Sequence, residues 1–361
     1  MIAVVGDIGG VGSVKIDAGV LRDYVRSVYC AAGVPRGSAS VVAGVQVDTD
    51  LRGVSTHGTR LVATYVSKLL AGSLNRRPAV TLTYDAGSCA ALDADRALGP
   101  LAGTIAMTLA VRRARRHGAA LVIAGNAGHA GAAGSYPLIA ADAGMIGVAV
   151  CQTGSASVAP YGTSDPVLGN TALAVALPRG PARPVLLDMA CGSVSWGQAH
   201  ARRREGARLP DGCALDSYGE PTGDPRHAVT LCTFGGAKGS ALAIVVELLA
   251  SAARGALTAL AADGEGRALW VCAVDPAHLG IDVSLPNRIE EIAQVLGNAR
   301  VMRAGQPPRL PGDRAWEATS AGMAGGIPLD DDHVRRLTDA GRQVGIDTEL
   351  PYSLKTHGRT P

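Results

Sequence analysis

Short apolar runs alternate with segments of helical periodicity through the middle of this 361-residue chain. Ala119–Ala124 and Met145–Val150 have the length and composition of buried strands, and a helical pattern that ends at Ala143 lies between them. Ala172–Leu177 and Leu269–Val274 repeat the strand pattern. Strands that alternate with helices are typical of a sheet covered by helices. We therefore expect an α/β fold.

Helical spacing also marks the start of the chain, before the strand pattern begins. Ile16–Ala32 carries apolar residues at helical intervals, and Ser38–Val47 and Thr59–Leu70 are predicted as the next helices. Near the other end, Pro286–Leu296 and Asp331–Val344 are predicted as surface helices. The sequence thus predicts a helical N-terminal segment ahead of the α/β part.

Composition excludes several classes of function. A net charge of +3 and an aromatic content of 3% do not fit a nucleic-acid-binding surface, which needs a basic face and aromatic side chains for stacking. No run reaches the roughly 18 apolar residues needed to cross a bilayer. The seven cysteines are scattered and form no Cys-x-x-Cys pair, so we expect neither disulfides nor a metal site. We expect a cytoplasmic protein with reduced thiols.

The segment Met1–Gly12 reads MIAVVGDIGGVG, an apolar run followed by glycines at positions 6, 9, 10 and 12. A Rossmann-type pyrophosphate loop needs Gly-x-Gly-x-x-Gly that opens directly into a helix. The glycine spacing here differs, and Ser13–Lys15 separates it from the next helical pattern. We interpret the segment as an N-terminal extension.

A cluster of basic residues lies in the last turns of the helix predicted to end at Gly118: Arg112, Arg113, Arg115 and Arg116. Such residues are favoured at a helix C-terminus by the helix dipole, and they then extend into solvent. They could alternatively bind a phosphate. The solvated interpretation is the simpler one.

Asp50–Tyr65 reads DLRGVSTHGTRLVATY and is the first segment with a chemical character. His57 lies where a helix is predicted to begin, a position that favours anionic groups. Thr56 offers a hydroxyl, and Arg60 and Tyr65 follow at spacings that share the general face of His57. These side chains could hold a small carboxylic acid and protonate its carbonyl. They could equally be a helix cap and a hydrogen-bonded histidine.

Two further segments carry candidate groups. Asn126–Tyr136 places His129 in a Gly/Ala loop after a predicted strand, where ligands of open α/β sheets bind. Val185–Ala190 reads VLLDMA, so Asp188 directly ends an apolar strand. Burying an unpaired carboxylate is costly, and we therefore expect Asp188 to be hydrogen-bonded or functional.

Several segments follow in an order that resembles one family. They are DLRGVSTHG, GHAGAAGSY, VAPYG with LGNTALAVALP, LLDMA, LDSYGEPTGDP, GGAKGSALAIVVELL and LPGD at Leu310–Asp313. This order resembles the malate/L-lactate dehydrogenase-2 family, which includes ureidoglycolate and sulfolactate dehydrogenases, diketogulonate reductases and piperideine-2-carboxylate reductases. The resemblance runs over about Ile16–Leu257 and more weakly beyond. It implies an α/β, non-Rossmann nicotinamide-binding fold of the sulfolactate dehydrogenase type and a homodimer.

The resemblance also implies roles for individual residues. His57 would be the proton donor, with Asp188 in support of the histidine or the substrate. Substrate contacts are expected at Thr56, Arg60, Tyr65 and His129. NADH or NADPH would be held by His129, Gly131, Ala132, Ala133, Gln152, Thr153, Asp188, Met189, Ala190, Lys238, Pro311 and Gly312.

Three parts of the chain are expected on the same basis. Residues 1–78 would form the helical N-terminal part of a substrate and dimerisation domain. Residues 79–265 would form the nicotinamide-binding α/β domain, and residues 266–361 would return to the first domain.

The sequence departs from the family pattern at several of these segments. The family arginine four residues after the histidine is replaced by Leu61, and Arg60 stands one residue earlier, which rotates the guanidinium by about 100° on a helix. The family Phe is Ala130, and Thr-Asn-Pro is replaced by Asn-Thr-Ala at 170–172. The segment after Asp188 is Ala-Cys-Gly-Ser in place of Ala-Thr-Ser. These changes predict an altered pocket in a divergent member.

We expect an NAD(P)H-dependent oxidoreductase that reduces a small 2-oxo acid to a 2-hydroxy acid, or catalyses the reverse, in a specialised pathway. A reductase of cyclic or linear ketimines is the alternative enzyme. A catalytically silent relative that binds a ligand or partner is the alternative of another class. No nucleic-acid or membrane partner is expected.

Overall fold

The computed structural model describes residues 13–251, 267–302, 307–347 and 350. The chain folds into two compact units. The helical unit comprises residues 1–77 and 314–361, and the sheet unit comprises residues 78–313. The glycine-rich segment Met1–Gly12 lies outside the described residues. None of the helices in the described ranges is long and apolar enough to cross a membrane.

The elements up to the middle of the chain are β1 (Ser13–Ile16), α1 (Ala18–Ala31), α2 (Arg36–Leu51), α3 (Val62–Leu70), β2 (Thr81–Ala86), β3 (Cys89–Asp93), α4 (Gly99–His117), β4 (Ala119–Ala127), α5 (Ser135–Asp142), β5 (Ile146–Cys151), β6 (Val158–Ala159), β7 (Ala172–Arg179) and β8 (Ala182–Ala190). They are followed by α6 (Trp196–Glu205), β9 (Ala214–Leu215), β10 (Thr230–Cys232), α7 (Ala237–Ser251), β11 (Arg267–Val274), α8 (Ser284–Gly297), α9 (Asp313–Gly325), β12 (Ile327–Asp330) and α10 (Asp331–Gln343). Short 3₁₀ turns occur at Ser55–His57, Thr59–Leu61 and Pro276–Leu279.

The helical unit is built from the two ends of the chain. α1 packs on α2, α10 packs on α3, and β1 pairs antiparallel with β12. α1 begins after Asp17, whose carboxylate accepts hydrogen bonds from the N–H groups of Gly19 and Val20 at 2.8 and 3.0 Å. α10 begins after Asp330, which accepts from the His333 N–H at 2.7 Å. The predicted N-terminal helices are confirmed.

The sheet unit is organised by a seven-stranded sheet in the order β2-β3-β4-β11-β5-β7-β8. β3 and β4 pair in parallel, and each of the other neighbouring pairs is antiparallel. α4 packs on β4, and α5 packs on β5. A Rossmann sheet is mostly parallel. The predicted α/β class is confirmed, and its strand pairing differs from that of a Rossmann sheet.

The chain leaves the sheet unit later than the sequence predicts. The last part is predicted to begin at residue 266, but β11 lies between β4 and β5 in the middle of the sheet. α8 also packs on β7 of that sheet. The two units instead divide between Asp313 and Arg314. The apolar pattern of a buried strand does not tell which strands it pairs with, because pairing is decided by tertiary contacts.

The arginine cluster of α4 includes one residue that stabilises the neighbouring hairpin. Arg113 Nη1 donates to the Asp85 carboxylate at 2.6 Å and to the carbonyls of Gly87 and Cys89 at 2.5 and 3.3 Å. The other three arginines of the cluster are exposed. This arrangement favours the interpretation that they are solvated residues at a helix end.

α4 approaches α5 so closely that a side chain is excluded between them. A Cβ at Gly103 would overlap the ring of Tyr136. Tyr136 is itself completely buried, and its hydroxyl donates to the carbonyl of Ala130. A Cβ at Gly99 would likewise overlap the backbone of His129. These contacts fix the loop that carries His129 against the first turns of α4.

We predict opposite effects for two helical glycine-to-alanine substitutions. Gly103→Ala should lower the free energy of unfolding by about 1–3 kcal/mol, because the added methyl group has no room beside Tyr136. Gly44→Ala in α2 is the matched control, since no atom lies within 4 Å of its Cβ position. It should raise the free energy of unfolding by about 0.5–1 kcal/mol. Calorimetric unfolding of both variants checks the pair, and a stabilised Gly103→Ala would contradict the close approach.

Candidate active site

His57 lies at the end of the short 3₁₀ turn that follows α2. Its Nδ1 lies 2.9 Å from Thr56 Oγ1, and the imidazole is half-buried. Removal from water lowers the pKa of His57 from its ordinary value of 6.5, because burial penalises the charged imidazolium. The turn therefore presents a mainly neutral imidazole near neutral pH.

A buried polar cluster lies directly behind this turn. Asp50 Oδ2 accepts hydrogen bonds from the N–H and the hydroxyl of Thr59 at 2.9 and 2.5 Å. The same hydroxyl lies 2.9 Å from His333 Nε2. No role for Asp50 was predicted from the sequence, although a carboxylate on an apolar helix face is a signal that could have identified it.

Arg60 forms ion pairs within the helical unit. Its guanidinium lies 2.5 Å from a carboxylate oxygen of Asp330 and 3.1 Å from one of Asp332. Its side chain is 16% exposed. Two carboxylates therefore already compensate the charge that was predicted to bind the substrate.

Tyr65 is part of the core of the helical unit. Its residue surface is only 2% exposed, among the apolar side chains of α3. The predicted contact between Tyr65 and a substrate would have to be made through that small exposed fraction.

His129 lies in the loop between β4 and α5. Its Nδ1 accepts a hydrogen bond from the Gly131 N–H at 3.2 Å. A neutral imidazole that accepts at Nδ1 carries its proton on Nε2, so Nε2 is a hydrogen-bond donor. Gly131 has φ +72°, a conformation that other residues rarely adopt. The loop thus holds His129 with a defined donor atom.

Asp188 lies inside β8, and its side chain is exposed. This corrects the expectation that Asp188 directly ends an apolar strand: β8 continues to Ala190, in register with Ala172. β8 is the last strand in the order of the described sheet, where it pairs with β7. A Cβ at Gly134 would lie 2.6 Å from Asp188 Oδ2. The end of the His129 loop and Asp188 are therefore neighbours.

The strand directions bring the predicted cofactor segments to one edge of the sheet. β4 and β5 each run antiparallel to β11, and β5 and β8 each run antiparallel to β7. β4, β5 and β8 therefore run in the same direction. The His129 loop after β4, Gln152–Thr153 after β5 and Asp188–Ala190 at the end of β8 share an edge, which is where α/β sheets bind ligands.

The other predicted cofactor residues differ in accessibility. Pro311 lies beside β8, where its carbonyl accepts from the Leu186 N–H at 2.9 Å. Gly312 follows with φ +98°. Gly131, Thr153, Met189 and Ala190 are half-buried, Ala132, Ala133 and Gln152 are buried, and Lys238 is exposed in the first turn of α7.

Backbone at this edge fits a nicotinamide cofactor. Gly131 and Gly312 have positive φ and leave two stretches of backbone without side chains, so that a ligand could come close to them. Gly134 has no room for a side chain beside Asp188. Small residues let ligand atoms come close to the backbone, while Asp188 and His129 supply polar atoms. Among the described residues, no cluster of three or more His, Cys, Asp or Glu side chains could hold a metal ion.

Two departures from the family pattern contact each other. Asn170 Oδ1 accepts from the Gly192 N–H at 2.8 Å, and Asn170 Nδ2 donates to the Val194 carbonyl at 3.2 Å. A Cβ at Gly192 would lie 2.7 Å from Asn170 Oδ1. Thr171 donates to the buried Glu247 at 2.5 Å. The loop after β8 is thus held by a side chain that requires glycine at 192, a pairing that the sequence alone did not predict.

Comparison with known proteins agrees with the motif order. The family model for malate/L-lactate dehydrogenase matches residues 16–338. L-sulfolactate dehydrogenase from Methanocaldococcus jannaschii is 30% identical over 326 residues, which cover 88% of this chain and 93% of the relative. The solved structure of sulfolactate dehydrogenase from that organism superimposes with a TM-score of 0.84 at 27% identity, over 93% of this chain and 98% of the other.

Two further similar proteins are named for other substrates. Malate dehydrogenase from Pyrococcus abyssi is 30% identical over 348 residues, covering 92% of this chain and 96% of the relative. The structure of delta1-piperideine-2-carboxylate reductase from Pseudomonas syringae superimposes with a TM-score of 0.79 at 26% identity, over 90% of this chain and 99% of the other. The resemblance and the fold expected from the sequence are confirmed, and the chain belongs to the malate/L-lactate dehydrogenase family of oxidoreductases.

Proposed function

We propose that this protein interconverts a small 2-oxo acid and its 2-hydroxy acid with a nicotinamide cofactor. The observation that supports this most is His57, a half-buried and mainly neutral imidazole on a fixed turn, in a chain that matches a dehydrogenase family over residues 16–338. Reduction of a carbonyl requires a hydride at carbon and a proton at oxygen. His57 would be the group that moves the proton.

The contact with Thr56 indicates which ring nitrogen of His57 would transfer the proton. When the imidazole is protonated, Nδ1–H donates to Thr56 Oγ1, 2.9 Å away. Nε2 is then the atom that transfers a proton to the carbonyl oxygen in reduction, or accepts one from the hydroxyl in oxidation. Because desolvation favours the neutral form, His57 is ready to act as a base, and reduction must begin with its protonation.

We assign the cofactor to the shared edge of the sheet. The bound cofactor would donate or accept the hydride. Gly131, Gln152–Thr153, Asp188–Ala190 and Pro311–Gly312 would surround it, and the Nε2–H of His129 would donate to the cofactor or the substrate. The cofactor would be NADH or NADPH, and we expect the protein to be a homodimer, as the resemblance of the sequence implies.

A ketimine is the second candidate substrate class, because the fold matches a piperideine-carboxylate reductase over 90% of this chain. A 2-imino acid and a 2-oxo acid both place the hydride acceptor next to a carboxylate, and both need a proton. The amine product distinguishes them.

The test is oxidation of NADH and of NADPH with a panel of 2-oxo acids, with and without ammonia or methylamine, and with cyclic imino acids. Turnover of plain 2-oxo acids supports the first candidate. Turnover of imines alone supports the second. Cofactor binding without turnover across the panel, together with failure to oxidise 2-hydroxy acids, would favour the catalytically silent alternative.

Replacing the proposed proton carrier should remove most activity. We expect His57→Gln to lower kcat by about 100- to 10,000-fold, the usual contribution of a general acid–base group. The affinity for NADH, measured by fluorescence titration, should stay within about twofold, because the binding residues proposed above lie on other segments. His117→Gln, at an exposed histidine of α4, is the matched control. Retention of activity by His57→Gln would exclude the proton-transfer role.

The effect of pH on kcat/KM should be opposite for oxidation and for reduction. Because burial lowers the pKa of His57 below 6.5, kcat/KM for oxidation should rise with pH through an inflection below 6.5 and then level off. The kcat/KM for reduction should fall with pH through the same inflection. Steady-state profiles in both directions check this. An inflection above 6.5 in the oxidation profile would contradict a desolvated, neutral histidine.

Replacing Arg60 shows whether its side chain serves mainly to stabilise the helical unit through ion pairs or to bind the substrate. We expect Arg60→Gln to lower the thermal midpoint, because two carboxylates lose their shared partner, and to change KM for the substrate by less than about tenfold. Loss of a bidentate arginine–carboxylate contact would raise KM much more. The control is Arg22→Gln, which breaks a more exposed pair with Asp48. A large KM effect with an unchanged midpoint would restore Arg60 as a substrate ligand.

A further inference from the structure

Two buried side chains of α2 hydrogen-bond the residues that follow His57. Gln46 Nε2 donates to the Gly58 carbonyl at 3.3 Å. The Tyr29 hydroxyl of α1 donates in turn to Gln46 Oε1 at 2.9 Å. Asp50 accepts from the N–H and hydroxyl of Thr59. The relative exposure of Tyr29, Gln46, Asp50 and Thr59 is 0%, 1%, 5% and 0%. Both residues after His57 are thus fixed by groups that water does not reach.

Packing leaves the turn little freedom to move. A Cβ at Gly58 would overlap the carboxylate of Asp50, so the backbone next to His57 lies directly against that side chain. His333 of α10, at 1% exposure, contacts the Thr59 hydroxyl at 2.9 Å. Thr59 is therefore held by α2 on one side and by α10 on the other.

The ionised form of the Asp50 carboxyl is disfavoured in this cluster. Burial raises the pKa of Asp50 from 3.8 to about 7, against the hydrogen bonds from Thr59 and the charges of Arg60 and Arg52. Because the folded pKa is the higher one, the contribution of Asp50 to the free energy of unfolding falls as pH rises from 3.8 towards 7. Asp50 Oδ1 has no hydrogen-bond partner among the described residues. Costly buried polar groups are concentrated at functional sites.

We propose that Asp50, acting through Thr59, is a positioning residue that sets the place of the His57 imidazole. The inference rests on the proposed function of His57 as the proton carrier. Proton transfer needs its groups within hydrogen-bond reach, and a displacement of about 1 Å can reduce turnover about 100-fold. Asp50 would act on His57 through Thr59 and without touching the substrate, because its side chain is buried.

The primary test compares Thr59→Val, which removes the hydroxyl at nearly constant volume, with Thr59→Ser, which keeps it. We expect Thr59→Val to lower kcat at least tenfold while KM for the cofactor stays within twofold, and Thr59→Ser to recover kcat to within threefold of wild type. Thr319→Val is the matched control, since the hydroxyl of that buried residue donates to Ala315 of its own helix. A Thr59→Val enzyme with kcat within twofold of wild type would overturn the proposal.

A measurement without turnover separates this inference from the proposed function. The pKa and chemical shift of the His57 imidazole can be followed by NMR, assigned with His57→Gln. Thr59→Val should move that pKa by at least 0.5. Thr319→Val should leave it unchanged. An unmoved His57 signal in Thr59→Val would refute the positioning role. If the signal moves but wild type turns over no substrate, the proposed function fails while positioning stands. Should Thr59→Val not fold, Asp50→Ala gives the same test, because it removes the costly carboxyl together with the acceptor of Thr59.

Discussion

The hydrogen bond between Thr59 and His333 joins residues 274 positions apart and links the turn after His57 to α10. The ion pairs from Arg60 to Asp330 and Asp332 lie beside it. The pKa of His333 is lowered to about 3, first by burial and then by Arg60, so this histidine is neutral and can take part in the cluster without adding a buried charge. The conformation of the turn that presents His57 is therefore decided jointly by α2 and by α10.

In the sheet unit the corresponding constraint is close backbone approach. Gly99 and Gly103 let α4 lie against the His129 loop and Tyr136, and Gly134 lets that loop reach Asp188. Larger residues at these points would push apart the segments that we propose to hold the cofactor. The high glycine count of the chain, 47 residues, thus reflects packing as well as turns. The single phenylalanine is consistent with a core filled mainly by small and branched side chains.

Local patterns predicted the local structure well, and long-range contacts account for what they missed. Helical periodicity located α1, α2 and α3, and the order of motifs identified the family and its fold. The central position of β11 was not predictable, because an apolar strand carries no mark of its neighbours. The same holds for Arg60, whose carboxylate partners lie 270 and 272 residues away. Asp188 was expected to end its apolar strand directly, but β8 continues to Ala190 and Asp188 is exposed on the last strand of the sheet.

The departures from the family pattern favour an altered substrate over a lost activity. Asn170 and Gly192 replace family residues at two separate positions, yet the amide of one binds the backbone of the other, and the glycine makes room for it. Thr171, also a departure, is hydrogen-bonded to the buried Glu247. A buried polar group left without a partner costs about 1–3 kcal/mol, so unrelated changes at such positions would be expected to leave strain. Here Asn170 and Thr171 both have hydrogen-bond partners, and Asn170 holds the loop that follows Asp188–Ala190. Asn170 and Gly192 are thus mutually compatible, as is expected if the altered pocket predicted from the sequence is a working one.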